Sequence, residues 1–324
     1  MKIRFNSMPE LPEVQTIVTQ LQKEIPGLTI RDVWSDWPKT IQVITHKDHI
    51  KIKQTKKFIE KKKAQKILQI FRGDIIGKKV ESVERKGKNI LIYLSQDHML
   101  LIHQKLTGHM LFGRWEILQG RPVPLTQGEL EEKTNSFIHF MLYLSDGNML
   151  ALSDLRKFAK VILGPRDKII SMADISSIGP DPLEKSFKVD KFINLISSKK
   201  GPIKQVLMNQ EVIAGIGNIY SDEILWEVKI HPLTPANKIT SDRLRKMFQA
   251  MKKILKFSIK VGGDSMSDFR GLYGKKGSFQ KYHKVYQREG ELCFECGNYI
   301  KRLKIGSRSA HYCPKCQSVV KKVV

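Results

Sequence analysis

The sequence predicts an α+β protein: an N-terminal helix plus an antiparallel β-sandwich, then a helical domain, then a cysteine-rich β-hairpin. Three observations predict this order. Apolar residues recur at helical spacing between residues 11 and 25. Short strands follow one another at even spacing between residues 79 and 163. From about residue 173 the pattern turns helical, and all 4 cysteines lie near the C-terminus.

The composition points to a nucleic-acid partner. The chain has 324 residues, with 57 Lys+Arg against 32 Asp+Glu and a net charge of +25. Such an excess favours a polyanion, because neutralising phosphates releases counterions; an acidic membrane surface is the weaker alternative. No apolar run reaches about 18 residues, and residues 1–7 lack a signal-peptide core, so we expect a cytoplasmic protein.

The first helix follows a proline-rich start, Met8-Pro9-Glu10-Leu11-Pro12-Glu13-Val14. A proline in the first turn loses no hydrogen bond there, and the Pro-Gly pair at 26–27 predicts the helix end. The predicted buried face consists of apolar residues at helical spacing: Leu11, Val14, Ile17, Val18, Leu21 and Ile25.

Pro9 is the candidate nucleophile. If translation starts at Met8 and that residue is removed, Pro9 carries a secondary amine that can attack a sugar C1′ or a carbonyl carbon. An α-amino group titrates near pH ~7.7–8.0, so part of it is unprotonated at neutral pH. With residues 1–7 attached, Pro9 is an unreactive amide; we expect Met8 to be the start, or the extension to be removed. Glu10 and Glu13 flank this position, although spacing alone favours ordinary first-turn carboxylates.

Strands and turns fill the next region. A strand is expected at 28–34, and residues 44–71, which hold eight lysines between 51 and 66, are expected to form a basic, partly helical surface insertion. Whether that arm contacts DNA or is only solvated is open. The sandwich strands are predicted at 79–85, 89–94, 98–103, 112–118, 136–144, 149–153 and 158–163.

The turns of this region carry candidate ligand-binding residues. Lys88 and His103 could bind phosphate, although each alone is more often a surface residue. Leu106 and Phe158 are apolar loop residues, with Arg156 beside the second. Core packing is their usual role; the alternative in a DNA-binding protein is a wedge that fills the gap left by an extruded base.

The helical region begins after a breaker cluster at 178–182. Helices are predicted at 190–197, 203–208, 221–228 and 241–259, and residues 262–287 are expected to be a mobile loop. A glycine turn at 214–220 precedes the third of these helices, where backbone N–H groups attract anions. Asn218 would assist there and Lys204 would add charge, although a plain tight turn is the alternative.

The cysteines have the spacing of a four-thiolate zinc site: Cys293-x2-Cys296, sixteen residues, then Cys313-x2-Cys316. Two disulfides are the less favoured alternative, since a cytosolic protein keeps its thiols reduced. Four protein ligands leave no open position, so one structural Zn²⁺ is expected. The basic hairpin between the cysteines could present Arg308 to a phosphate.

Three of these motifs together resemble the formamidopyrimidine-DNA glycosylases, within the wider group that includes endonuclease VIII. They are Pro-Glu-Leu-Pro-Glu-Val at 9–14, Gly-Ile-Gly-Asn-Ile-Tyr at 215–220, and the four-cysteine hairpin; the resemblance runs from Met8 to about Gln317. It implies four domains: a catalytic β-sandwich (8–172), a helix–two-turns–helix domain (173–262), a mobile lesion-covering loop (263–287) and a zinc hairpin (288–324).

The resemblance also implies a function and site roles. The activity would be that of a bifunctional DNA glycosylase and AP lyase of base excision repair that removes oxidised purines and cuts the strand by β,δ-elimination. Pro9 would attack C1′, Glu10 would be its acid/base partner, and Glu13 would support the site. A larger set of residues would hold damaged double-stranded DNA, by binding phosphates, by filling the base stack as a wedge or by contacting the orphaned base. These residues are Lys88, His103, Leu106, Arg156, Phe158, Lys204, Asn218 and Arg308.

Several positions depart from the family pattern. Leu106 stands where the family usually has Met, Lys157 replaces a second Arg, and the lysine-rich insertion and residues 1–7 are unusual. Leu11 favours the oxidised-purine branch. Two function classes stay open. The first is an active enzyme, and the second is a non-catalytic damaged-DNA-binding protein, which applies if the extension stays on Pro9. We expect the protein to be a monomer and, if it is bacterial, to be associated with the nucleoid.

Overall fold

The computed structural model describes residues 8–45, 49–50 and 59–318. The chain divides into two compact units. Of the described residues, the first unit takes 8–9, 13–176 and 262–277, and the second takes 10–12, 177–261 and 278–318. Residues 263–277 of the predicted loop at 263–287 thus belong to the first unit and residues 278–287 to the second. The boundaries of that loop stay a prediction. Residues 1–7 and the lysines at 51, 53, 56 and 57 lie outside the described residues.

Two long helices pack against the sheets of the first unit. Helix α1 (Leu11–Glu24) buries the predicted apolar face, and Gly27, with φ +88°, turns the chain after it. Helix α2 (Ile59–Ile75) corrects the predicted surface insertion. Its side chains at helical spacing are in the hydrophobic core: Ala64, Ile67, Phe71 and Ile75. The lysines of this stretch had obscured that apolar face.

Twelve strands in the described part of the first unit form two main sheets and a small hairpin. The strands are β1 (Ile30–Trp34), β2 (Ile41–Ile44), β3 (His49–Ile50), β4 (Val80–Lys86), β5 (Asn89–Leu94), β6 (His98–His103), β7 (His109–Gly113), β8 (Trp115–Leu118), β9 (Arg121–Pro124), β10 (Ile138–Leu144), β11 (Met149–Ser153) and β12 (Lys160–Pro165). One sheet has the order β1-β10-β11-β7, and the other has the order β3-β2-β12-β6-β5-β4.

The β-sandwich prediction is confirmed with two corrections. The pair β12–β2 is parallel, whereas the other strand pairs described are antiparallel. The single strand predicted at 112–118 is wrong, because the chain leaves the first sheet at Gly113 and enters the separate β8–β9 hairpin at Trp115. The short helices α3 (Arg166–Ser171) and α4 (Ala173–Ser176) end this part of the unit.

The second unit is helical with a C-terminal hairpin. Its helices are α5 (Val189–Ser197), α6 (Ile203–Met208), α7 (Asn218–Glu227) and α8 (Ser241–Lys260). Helix α7 starts three residues earlier than predicted, directly after the glycine turn. Strands β13 (Lys301–Ile305) and β14 (Arg308–Tyr312) form the hairpin. Among the described residues, no helix is both long and apolar enough to cross a membrane.

Candidate active site and metal centre

The carboxylate of Glu10 is held by the backbone at the start of α7. It is buried and accepts hydrogen bonds from the N–H groups of Gly217 (2.7 Å), Ile219 (2.9 Å) and Tyr220 (3.4 Å). These donors are the unsatisfied N–H groups of a helix N-terminus, which favour an anion. The glycine turn therefore binds a carboxylate of the protein itself, whereas the sequence had suggested a phosphate there.

Glycine is required at position 215 of that turn. Gly215 has φ +83°, and a Cβ there would lie 2.5 Å from the Leu11 Cβ. The Leu11 N–H also donates to the Gly215 carbonyl oxygen at 3.0 Å. The close approach fixes the backbone of residues 10–12 against the turn, and with it the position of Glu10.

Pro9 and Glu13 are both buried in the first unit. The Glu13 carboxylate accepts the Asp264 N–H at 2.7 Å, and a Cβ on Gly263, where φ is +81°, would meet the same carboxylate at 3.0 Å. Glu13 therefore acts on the loop after α8, whose backbone it holds in place.

His103 and Lys88 lie side by side at the ends of paired strands. Strand register places Asn89 opposite His103, so the β4–β5 turn that carries Lys88 is next to the end of β6. Burial lowers the pKa of His103 to about 3, and the positive charges of Lys105 and Lys88 lower it further. The ring is therefore neutral at pH 7. Its Nδ1 accepts the Lys105 N–H at 3.0 Å, which leaves the proton on Nε2 as a donor.

A buried carboxylate joins the two loops that hold the predicted wedge residues. Asp154 accepts a hydrogen bond from the Thr107 hydroxyl and from the Ala159 N–H (2.7 Å). The Arg156 N–H donates to the same Thr107 oxygen at 3.1 Å. Thr107 directly follows Leu106, which is half-buried. The structure thus brings the Leu106 loop and the 154–158 loop together.

At the tip of the second loop the side chains are exposed. Phe158 is 45% exposed, and the Arg156 guanidinium carbon lies 4.9 Å from its ring centre. An exposed aromatic ring beneath a cation is not in the core, so the core-packing alternative does not hold for Phe158.

Asn218 is the first residue of α7, and Tyr286 lies near it. Burial raises the pKa of Tyr286 above its ordinary value, and the Glu10 carboxylate raises it further, so the phenol stays neutral. The Asn218 Oδ1 atom is buried without a hydrogen-bond partner in the described part of the chain. A buried polar atom of this kind is unusual and indicates a group available to a ligand or water.

The prediction that Lys204 contacts DNA is wrong. Its side chain is fully buried, and its ammonium group lies 2.5 Å from Asp222 Oδ1 and 3.2 Å from Ser221 Oγ. It also donates to the Asn218 carbonyl oxygen at 3.4 Å. A lysine neutralised inside the protein cannot reach a phosphate, so Lys204 positions the start of α7.

The four cysteines form one metal centre. The sulfur atoms of Cys293, Cys296, Cys313 and Cys316 all lie within 4.8 Å of one another. Two of the separations are 3.9 Å (Cys293–Cys316) and 3.4 Å (Cys296–Cys313). A tetrahedral zinc with Zn–S bonds of about 2.3 Å requires sulfurs about 3.8 Å apart, which these distances fit. One structural Zn²⁺ held by four thiolates is therefore supported.

The hairpin between the two cysteine pairs is tied to α7 through His311. The backbone N–H of His311 lies 2.9 Å from Asp222 Oδ2, and its ring Nδ1 lies 3.1 Å from the same oxygen. Arg308 is exposed at the start of β14, beside the Gly306 turn. The buried histidine anchors the hairpin, and the exposed arginine is left at its tip.

Sequence reasoning missed the buried acidic residues that position the site. Asp154 joins two loops, Asp222 joins Lys204 to His311, and Glu223 accepts the N–H groups of residues 284, 285 and 286. The available signal was weak, namely an acidic residue in a strongly basic chain. Most of their partners are 5 to 89 residues away along the chain, so spacing could not identify them.

Comparison with known proteins agrees with this geometry. Three family models match: the formamidopyrimidine-DNA glycosylase N-terminal domain at residues 8–161, the formamidopyrimidine-DNA glycosylase H2TH domain at 178–270, and a zinc finger found in FPG and IleRS at 290–319. A formamidopyrimidine-DNA glycosylase of Ligilactobacillus salivarius is 32% identical over 312 residues, which cover 96% of this chain and 99% of the relative.

Solved structures are also similar. A complex of Lactococcus lactis FPG (MutM) with DNA that contains FAPY-dG is 27% identical with a TM-score of 0.76, and it covers 96% of this chain and 100% of that one. A structure of MutM with DNA that contains carbocyclic 8-oxo-G is 28% identical, with the same TM-score and coverage. The chain therefore belongs to the formamidopyrimidine-DNA glycosylase family.

Proposed function

We propose that this protein is a bifunctional DNA glycosylase and AP lyase that removes oxidised purines from double-stranded DNA. Its family membership and the FAPY-dG and 8-oxo-G complexes of similar proteins support this substrate class. The observation that carries the proposal is the Glu10 carboxylate, buried and fixed by three backbone N–H groups directly after Pro9 in the chain. A structural carboxylate in an ordinary first turn would not need this cradle.

The proposed chemistry starts from a free Pro9 amine. Its lone pair attacks C1′ of the damaged nucleoside, the bond from C1′ to the base nitrogen breaks, and the base leaves with that electron pair and takes up a proton. The attached amine then loses its proton, the C1′–O4′ bond of the sugar ring breaks and O4′ takes up a proton, which leaves the opened sugar bound to the protein as an iminium (Schiff base). Glu10 is held near the start of α7 to exchange protons with the opening sugar, and two eliminations then release the strand on each side.

The remaining predicted residues would hold the DNA. His103 offers a neutral Nε2–H, Lys88 a positive charge and Asn218 a side-chain amide, and Arg308 stands exposed on the hairpin. Leu106, on the 104–107 loop, would fill the gap that the extruded base leaves in the base stack. Exposed Arg156 and Phe158 would meet the orphaned base and wedge the stack, and the Asp154 contacts would keep both loops in register.

The nucleophile requires that residues 1–8 be absent from the mature protein, so that Pro9 is the first residue. The match to the N-terminal family model begins at residue 8, which supports a start at Met8. If the extension remains, Pro9 is an amide and the protein would bind damaged DNA without cutting it. Intact mass of the untagged protein distinguishes these cases. We also propose that the active form is a monomer in the cytoplasm.

Borohydride trapping tests the mechanism. The parent protein should give a covalent adduct with duplex that contains 8-oxoguanine, because borohydride reduces the iminium to a stable amine. Pro9→Gly and Glu10→Gln should abolish strand cleavage while binding survives. Glu116→Gln, a matched change at an exposed glutamate of β8, should leave both unchanged. Cleavage by the Glu10→Gln variant at the parent rate would contradict the proposed role.

A further inference from the structure

The C-terminal end of α7 packs against the metal centre. Trp226 is buried there, in one apolar cluster with Val285, Ile300, Cys293 and Cys313. The indole ring therefore contacts residues that hold the metal. A side chain in this position can orient a metal ligand and change its electron density without being a ligand itself.

The indole N–H of Trp226 is a buried donor. Its Nε1 atom has no oxygen or nitrogen acceptor within hydrogen-bond distance among the described residues. Buried donors of this kind are rare, because an N–H group that is removed from water without a new partner destabilises the fold. The group with which this N–H interacts is the sulfur of Cys293. A thiolate is a stronger acceptor than a thiol, so the donor gains its partner when the cysteine is ionised to bind zinc.

A lysine at the end of α7 restrains both the indole and the first cysteine pair. The Lys229 ammonium lies 3.6 Å from the centre of the Trp226 ring and forms an ion pair with the Glu295 carboxylate, inside the 293–296 turn. The Lys229 carbonyl oxygen accepts a hydrogen bond from the Arg243 guanidinium at 2.7 Å. Lys229 is thereby fixed to α8, and the indole is held between a cation and the apolar cluster.

The second cysteine pair is held by contacts of a different kind. The buried Gln317 side chain donates from Nε2 to the Ile230 carbonyl oxygen at 2.9 Å, and its Oε1 accepts the Cys313 N–H at 2.9 Å. These hydrogen bonds fix the backbone around the second pair. Trp226 differs because its N–H acts on a metal-binding sulfur of the first pair, so it can change how strongly that sulfur holds the metal.

We propose that Trp226 is a positioning residue of the zinc site, and that its indole N–H donates to the Cys293 thiolate in the metal-bound protein. Four thiolates around one Zn²⁺ leave excess negative charge, which a nearby N–H dipole stabilises. Because packing and Lys229 already hold the indole, the donor does not have to be ordered when the metal binds. This role concerns the zinc site and does not depend on the proposed catalytic chemistry.

Competition for zinc with a chromogenic chelator tests this role. Trp226→Phe keeps an aromatic ring in the cluster but removes the N–H, and it should bind zinc about 10- to 100-fold more weakly than the parent. Trp115→Phe, at a buried tryptophan of the first unit, is the matched control and should bind zinc as the parent does. An unchanged zinc affinity in Trp226→Phe would overturn the proposed role.

Substitution of ¹¹³Cd for zinc gives a second readout on the parent protein, which requires no variant. A proton that is hydrogen-bonded to a metal-bound sulfur shows scalar coupling to the cadmium nucleus. The indole proton of Trp226 should show this coupling, whereas that of Trp115 should not. A Trp226 indole proton without the coupling would overturn the hydrogen bond, even if Trp226→Phe bound zinc weakly, because the indole would then act through packing alone.

Discussion

The buried pair Lys204–Asp222 offers a sharp test of how the second unit is held together. Asp222 is at the centre: one carboxylate oxygen lies 2.5 Å from the Lys204 ammonium, and the other lies 2.9 Å from the His311 backbone nitrogen and 3.1 Å from its ring nitrogen. Both charged side chains are at most 1% exposed. Asp222→Ala removes all these interactions and leaves an ammonium group buried without its counter-charge.

The expected loss of stability is large. Breaking a buried ion pair by removing one partner costs about 3–5 kcal/mol, because the remaining charge is left uncompensated in a low dielectric. A surface pair would give at most about 1 kcal/mol. For a folding unit of this size, we expect the melting temperature to fall by roughly 10–20 °C. His311 is two residues from Cys313, so the zinc hairpin should loosen as well.

Hydrogen exchange is the suitable assay, because it reports on each unit separately. In Asp222→Ala, the amides of α7 should lose about 3–5 kcal/mol of protection, while those of β5 and β6 in the first unit should keep theirs. The double variant Lys204→Met/Asp222→Leu removes both charges and should recover most of the loss. An α7 protection within about 1 kcal/mol of the parent in Asp222→Ala would refute the reasoning.

Two further predictions concern protons and metal. Burial lowers the pKa of His109 to about 4, below the unfolded value near 6.5, so its neutral form stabilises the fold above pH about 6.5 and this stability is lost as pH falls towards 4. Urea unfolding at pH 7 and pH 5 should show that the free energy of unfolding decreases by up to about 1.4 kcal/mol per pH unit because of this group. In His109→Gln the free energy of unfolding should depend less steeply on pH; an equal dependence in both proteins would contradict the role of His109. Chelating the zinc should unfold the hairpin and weaken DNA binding, as should Arg308→Gln with the metal in place. Unchanged binding after demonstrated metal loss would remove Arg308 from the interface.

Regular local patterns made much of the fold predictable. The bounds of α6, β5, β6 and β11 agree with the predicted ones, because period-2 or helical spacing is a local property of the sequence. The break at Gly113 was missed, since strands β7 and β8 are both apolar and only sheet pairing separates them. The core face of α2 was missed because lysines fill its other positions.

The residues of the candidate site also divide into those that the sequence could identify and those that it could not. The four cysteines could be identified because metal binding by thiolates depends on residue type and spacing. The catalytic roles of Pro9 and Glu10 stay a prediction. Lys204 was misjudged because a lysine looks the same in sequence whether it meets solvent or a buried carboxylate, and Asp222 is 18 residues away. The cradle around Glu10 was equally hidden, since its donors are backbone N–H groups 207 to 210 residues further along the chain.

Asp154 shows why such hidden carboxylates matter for the proposed wedge. Leu106 and Phe158 are 52 positions apart in the sequence, and each is on a loop. A wedge made from two independently moving loops would lose its shape whenever either loop shifted. By accepting the Thr107 hydroxyl and the Ala159 N–H, one carboxylate fixes the residue after Leu106 and the residue after Phe158 together. Phe158 can then stay exposed and Leu106 half-buried on their loops, because a buried hydrogen-bond network, and not the packing of these two side chains, holds both loops in place.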